Sequence, residues 1–327
     1  MTTRRLLLGA SMAPVLAALP RRAFAAYPDR PIRLVVPFAA GGNTDILARI
    51  VAARMSDRLG RPLTVDNRTG AGGSVGAAVV ARAAPDGYTL LFGSGGPLTA
   101  NPVLQNDLPY DAVRDFKPIG LAGILPMVCQ VSSRLGATTL TQFIEIARTR
   151  QGQLTVATPG SGSAAHLALE LFMAGANVRV THVPYRGGSA MVPDLLSGAV
   201  DAGFVELPSA LPLHLDNTAR IVAIATPERS PHLQGVQTFI EAGLPGYTAG
   251  SYGGLLAPVA TPPDIIATLH AAFQAALADT EVQSRIVEVG AILASATQRT
   301  PEGFADFLAA ELANARRAAR LAGLIPA

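Results

Sequence analysis

The segment 31–60, PIRLVVPFAAGGNTDILARIVAARMSDRLG, restricts the fold more than any other stretch of the chain. A β-branched and leucine run over 32–36 meets Pro37-Phe38-Ala39-Ala40-Gly41-Gly42-Asn43. Apolar residues then recur at helical spacing, at Ile46, Ile50 and Met55 with Leu47, Val51 and Leu59 beside them. This predicts a strand, a glycine loop and a helix. The first N–H groups of such a helix are unpaired and aimed into the loop, where the positive end of the helix dipole adds to them, so a small anion can sit there. Gly41 and Gly42 admit close backbone approach, Asn43 or Thr44 is placed to cap, and Asp45 suits the dipole but would repel an anion set too near. Any strand-to-helix connection needs a turn and a cap, so one loop alone defines no site. A second unit of the same design changes that. Residues 154–157 read as a strand, Thr158-Pro159-Gly160-Ser161-Gly162-Ser163 as a glycine-serine loop, and 164–174 as a helix with Leu167, Leu171 and Phe172 on its apolar side. Two anion-ready helix starts more than a hundred residues apart predict two domains facing one ligand.

The length, 327 residues, exceeds a comfortable single core, and 49% hydrophobic with 15% charged residues fits extensive burial in an α/β chain. Residues 1–25 read as a signal peptide: Arg4-Arg5 precede an apolar stretch too short to span a bilayer, and Ala23-Phe24-Ala25 makes an A-x-A cleavage site. The pair after Thr3 also fits a twin-arginine signal. That segment holds four arginines and no acid, so its loss takes 26 basic residues to 22 against 23 acidic, a net charge of −1 in place of +3. No basic stripe remains for nucleic acid or an anionic membrane. Cys129 is the only cysteine, which excludes an internal disulfide, and none near the cleavage site could carry a lipid. A soluble, monomeric periplasmic protein without a stable membrane anchor is expected.

Further along, strands are predicted over 62–65, 88–92, 178–183, 200–205, 221–225 and 253–257, and helices over 74–83, 141–150, 190–196, 263–278 and 301–321. The apolar stretch 119–131 reads as the crossing to the second domain, and the proline- and glycine-rich 226–247 as the return. The expected partition is 26–124 and 248–327 in the first domain and 125–247 in the second.

Catalytic and cofactor patterns are present in part. Gly72-Gly73-Ser74-Val75-Gly76 matches G-x-S-x-G, which would make Ser74 an acyl-transfer nucleophile, but that elbow needs the serine directly after a strand and here a glycine-rich loop intervenes. Gly160 to Ala165 matches the alanine form of the dinucleotide fingerprint, yet the next strand ends in Thr181-His182-Val183-Pro184-Tyr185 and offers no carboxylate for a ribose. The five histidines form no metal-ligand spacing. No cofactor and no metal are expected. His166, in the first turn of the central helix, is placed to touch ligand or to cap, and His182 to orient the 183–188 loop.

The chain resembles the Bug family of periplasmic solute-binding proteins, also called tripartite tricarboxylate transporter substrate-binding proteins. The resemblance runs from Tyr27 to the C-terminus. It rests on PIRLVVPF with Gly41-Gly42 and Asp45, Val65-Asp66-Asn67-Arg68 with Gly70-Ala71-Gly72-Gly73, Pro85-Asp86-Gly87-Tyr88-Thr89-Leu90, Asp111 with Arg114-Asp115-Phe116, His182-Val183-Pro184-Tyr185-Arg186-Gly187, and Glu241-Ala242-Gly243-Leu244-Pro245-Gly246-Tyr247. It implies an α/β, two-domain periplasmic-binding-protein fold of the Venus-flytrap, type II-like kind. Loops 37–45 and 158–166 would hold a ligand carboxylate, partly through ordered water. Members bind small organic acids or acidic amino acids, and many pair with a two-protein membrane permease. Relatives often carry an aspartate in the segment that here reads Phe204-Val205-Glu206-Leu207-Pro208, and a tryptophan where Tyr252 stands.

The expected ligand contacts are Phe38, Ala40, Gly41, Gly42, Asn43 and Asp45 from the first loop, Ser94 from the small-residue loop 93–96, and Thr158, Gly160, Ser161, Gly162, Ser163 and His166 from the second loop. Tyr185, Arg186 and Glu206 complete the set. Arg186 is the one cation nearby, and Glu206 at a strand end would repel a tricarboxylate unless protonated or paired with Arg186, which favours monocarboxylates, hydroxy acids or amino acids. The expected function is non-enzymatic capture of a small carboxylate for a permease. Ligand presentation to a membrane sensor kinase and a secreted serine hydrolase using Ser74 are the alternatives.

Overall fold

The computed structural model describes residues 27–326; the expected signal peptide and its cleavage near Ala25 lie outside them. Strand β1 (Ile32–Val36) is buried along almost its whole length because it lies between two parallel neighbours, β2 (Leu63–Asn67) and β3 (Thr89–Gly93), which is why it reads as an unbroken apolar run. Helix α1 (Asn43–Leu59) crosses between β1 and β2 and stops where Gly60 turns left-handed at φ 63°. Helix α2 (Ser74–Ala81) and the short α3 (Asn101–Leu104) follow, the latter continuing a wide π-helical turn over Gly96–Ala100.

Strand β4 (Phe116–Ser132) organises the rest. It continues, in chain order, to α4 (Leu140–Thr149), β5 (Thr155–Thr158), α5 (Ala164–Ala176), β6 (Thr181–Pro184), α6 (Val192–Ser197), β7 (Ala202–Glu206), α7 (Leu207–Leu215), β8 (Ala219–Ile224) and β9 (Gly250–Pro258). Helices α8 (Pro263–Ala278) and α9 (Thr280–Glu288), strand β10 (Ile292–Leu293) and helix α10 (Pro301–Leu321) close the chain. The sheet order is β2-β1-β3-β9-β4-β7-β5-β6, with β8 and β10 also on β4. The N-terminal part of β4 pairs with β9 and β10, down to Pro126 opposite Gly250. From Met127 onward it pairs with β7 and β8. One strand thus belongs to two lobes.

Each lobe buries its own apolar layers. In the first, Leu34, Leu47, Met55 and Phe273 pack on one face of the sheet and Val35, Leu91, Tyr252 and Phe304 on the other. In the second, Phe172 meets Phe143, Phe204 and Phe239 at ring-centroid distances of 6.0, 5.2 and 6.0 Å. A fully buried side chain of this size contributes about 1.5–3 kcal/mol relative to exposure, so either face alone is a substantial core.

Several elements depart from expectation. Helix α7 was not anticipated, because Pro208 and Pro212 argue against a helix; Pro208 sits in the first turn, where no N–H is required, and only Pro212 interrupts. Helices α3 and α9 and strand β10 were also missed. Strand β6 begins at Thr181 and not at 178.

Candidate functional site

The β1-to-α1 loop carries the first-lobe part of the site. Gly42 occupies the cap position of α1 with no side-chain cap, so neither Asn43 nor Thr44 caps this helix as expected. The Asp45 carboxylate turns back into the loop, accepting from the Gly41 N–H (2.8 Å), Arg49 (2.8 Å) and Asn67 Nδ2 (2.9 Å). Those donors outweigh burial and hold its carboxyl below the usual range. The Gly42 N–H bonds the Ala39 carbonyl at 3.1 Å. Both glycine N–H groups are therefore used within the loop, and Asp45 shapes it from behind.

In the second lobe, Ser163 caps α5 by accepting from the His166 N–H at 3.1 Å. The Gly162 N–H donates to His166 Nδ1 (3.2 Å), and Thr158 Oγ1 meets His182 Nε2 at 2.7 Å. The two imidazoles stack at 4.3 Å beneath the loop, with Glu170 3.4 Å from His166 Nε2. Burial first, and His166 second, push His182 down to about 4, so it is neutral. His182 thus braces the 158–163 loop and not the 183–188 loop.

Between the lobes lies a cavity of about 340 Å³ lined by Phe38, Gly70, Ala71, Gly72, Gly73, Pro159, Gly160, Ser161, Pro184, Tyr185 and Arg186. Of the expected contacts, Phe38, Gly160, Ser161, Tyr185 and Arg186 line it. The Ser161 N–H and hydroxyl make no hydrogen bond within the described residues. The Arg186 side chain is exposed and has no carboxylate in ion-pair range among them. Tyr185 hydrogen-bonds Asp194, and burial with that carboxylate pushes its phenol up to about 12. Ala40, Gly41, Gly42 and Asn43 lie instead where the lobes touch. The Ala39 N–H donates to the Arg186 carbonyl (3.2 Å) and the Ser189 hydroxyl to the Ala40 carbonyl (2.9 Å). Thr158, Gly162, Ser163 and His166 form the frame of the second loop. Ser94 is buried beyond β3 with its hydroxyl unpartnered among the described residues.

Glu206 does not pair with Arg186. Its carboxylate accepts from Asn43 Nδ2 at 2.6 Å, and burial pushes it up to about 7. Glu206 does not line the cavity, and burial favours its uncharged form, which lessens the repulsion expected against a ligand with several carboxylates. The 70–73 loop, not among the expected contacts, is also cavity wall. Its signal was present in the run Gly70-Ala71-Gly72-Gly73, all four of which adopt positive φ.

Residues 47–307 match the family described as the tripartite tricarboxylate transporter family receptor. The chain belongs to that family. It is a periplasmic solute-binding protein with the two-domain fold of such receptors. The periplasmic binding protein BugD is similar at 30% identity and a TM-score of 0.88, covering 91% of this chain and 99% of that one. R. palustris Rpa4515 with adipate is 34% identical with a TM-score of 0.87, covering 91% and 98%. MatC (Rpa3494) from Rhodopseudomonas palustris with bound malate is 34% identical with a TM-score of 0.86, covering 89% and 99%.

Two features of this receptor bear on the other chemistries. The Ser74 hydroxyl is held by Asn101 Nδ2 (2.6 Å) and the Tyr110 hydroxyl (3.2 Å), a network with no histidine or carboxylate to act as base. Among the described residues no three His, Cys, Asp or Glu side chains converge, and no helix is long and apolar enough to cross a membrane. A second cavity, of about 350 Å³, lies between α5 and α10, with Leu167, Leu171, Ala315 and Leu321 in its lining.

Proposed function

We propose that this receptor captures a small aliphatic dicarboxylate between its lobes and delivers it to a membrane permease. The supporting observation is the interlobe cavity itself, whose lining includes both Ser161 of one glycine loop, with its N–H and hydroxyl unpaired among the described residues, and Arg186. One carboxylate would take the loop donors and the other Arg186, as charge-assisted hydrogen bonds. A volume of about 340 Å³ lies at the lower end of small-molecule sites, about 300–1,000 Å³, and suits a small acid. Adipate and malate in two relatives support the same class, and the Asn43 partner of Glu206 removes the reason to prefer monocarboxylates. The lobes are taken as 26–124 with 248–327 and 125–247, supported by the change of β4 partners at Met127. Export with cleavage near Ala25, a monomeric state and delivery to a permease complete the reading.

Calorimetric titration with malate, adipate, citrate, acetate and aspartate tests it. Malate or adipate is expected to bind most tightly. Arg186→Ala is expected to weaken either dicarboxylate at least tenfold, about 1.4 kcal/mol, and to leave acetate unchanged. Failure of every acid to bind, or equal losses for acetate and malate, would overturn it.

A further inference from the structure

We propose that Asn43, Glu206 and Ser209 form an interlobe latch, through which Asn43 sets solute affinity by stabilising the closed arrangement of the lobes and not by touching the solute. This rests on the reading of the chain as a solute-binding protein whose lobes close.

Asn43 is the first residue of α1, in the first lobe, and α7 starts in the second. Glu206 holds the cap position of α7 but makes no side-chain cap, and Pro208 has no N–H to offer. The Ser209 N–H is thus an orphan donor of the first turn, and Asn43 Oδ1 accepts it at 2.8 Å from across the cleft. The Nδ2 of the same amide donates to Glu206 Oε2 at 2.6 Å. One side chain therefore caps a helix in the opposite lobe and satisfies a buried carboxyl group. Asn43 is 4% and Glu206 7% exposed, and neither lines the cavity. Gly188 lets the neighbouring chain cross this junction, since a Cβ there would come within 2.9 Å of Ser209 Oγ and 3.1 Å of Asn43 Nδ2. Opening the lobes uncaps α7 and returns Glu206 to water, so both bonds exist only when the lobes meet.

The same geometry makes closure sensitive to protons. Facing the junction from α1 is Asp45, engaged by Arg49. From the 184–191 segment come Tyr185, bonded to Asp194, and Arg186; on α7 His214 stands at the far end. None of these bonds Glu206. Its carboxyl is pushed up to about 7 when closed, from an ordinary 4.5 when solvated, chiefly by burial. The closed state therefore holds the extra proton between those values. Affinity is highest below about 4.5, falls by at most about tenfold per pH unit on rising toward 7, and is level above it.

The test compares wild type, Asn43→Ala, Glu206→Ala, the double variant and Glu206→Gln, with malate and adipate as titrants and small-angle scattering of the protein without them. Asn43→Ala, which removes both hydrogen bonds, is expected to weaken both acids by the same factor, about tenfold, and Glu206→Ala, which removes one, by a smaller factor common to both acids; each is expected to enlarge the radius of gyration. The double variant should be no weaker than the worse single one. Glu206→Gln should keep the acid-side affinity and lose the pH dependence. Multiplying losses, unequal losses for the two acids, or an unchanged radius of gyration would overturn the latch. If wild type binds neither acid, the dicarboxylate reading fails on its own, and the scattering of Asn43→Ala still decides the latch.

Discussion

Gly72 holds φ at +60°, and a Cβ on it would lie 2.5 Å from the Ser161 carbonyl oxygen of the opposite lobe. Gly72→Ala therefore both strains the backbone and wedges the lobes apart. The expected result is a loss of malate affinity greater than tenfold, with a fall in melting temperature of only a few degrees, because the first-lobe core is untouched. Calorimetry and thermal denaturation check it; a collapse in melting temperature with intact affinity would make Gly72 a folding residue alone. His182 gives a second residue-scale prediction. Its folded value is depressed to about 4 from 6.5, so the neutral ring's contribution to stability is present above about 6.5 and is lost as pH falls toward 4. Between pH 7.5 and 5 the melting temperature of wild type is expected to drop more than that of His182→Gln, and equal drops would contradict it. At this scale the sequence exposed the glycine loops but not the use of each polar group. Asn43 has the composition of a helix cap, and only the position of α7 across the cleft explains why its amide serves another helix. Asp45 was legible as a first-turn acid, while its bond from Asn67 depends on β2 lying beside β1.

Helix α4 tests how far local rules carry. Thr139 accepts from the Gln142 N–H at 3.2 Å and caps it. Thr139→Ala is expected to cost about 1 kcal/mol and about 2–4 °C in melting temperature, with malate affinity unchanged because α4 stands away from the cavity. A change in affinity would mean that α4 shares in closure. Elements of this kind were legible because their signals are local: α8 and α10 run over 263–278 and 301–321 as proline starts and helical periodicity predict. Helix α7 was hidden because proline usually ends a helix, and its tolerance of Pro208 and Pro212 depends on position within the turn. Strand β4 was recognised as an extended crossing. Its division between two sheets depends on partners 130 residues away in β9, which periodicity does not report.

The two lobes have separate apolar cores and share β4 and a cluster in which Leu167 of α5 meets Leu312 and Ala315 of α10. Across the cleft itself, hydrogen bonds run from the 39–43 loop to the 186–189 segment and to α7, and Gly72 packs against Ser161. Such a seam resembles a transient interface more than a core, so without solute the lobes are expected to unfold with incomplete coupling. The calorimetric enthalpy should then exceed the van't Hoff value. A solute held by both lobes stabilises only the joined state, by about 2.7 kcal/mol at one hundred times its dissociation constant. Saturating malate is accordingly expected to raise the melting temperature and to bring the two enthalpies together. Asn43→Ala should keep them apart at a malate concentration that suffices for wild type. Differential scanning calorimetry of wild type and Asn43→Ala, with and without malate, measures this. A single cooperative transition in the absence of malate, with equal enthalpies, would show that β4 and the α5–α10 cluster already fuse the lobes into one unit.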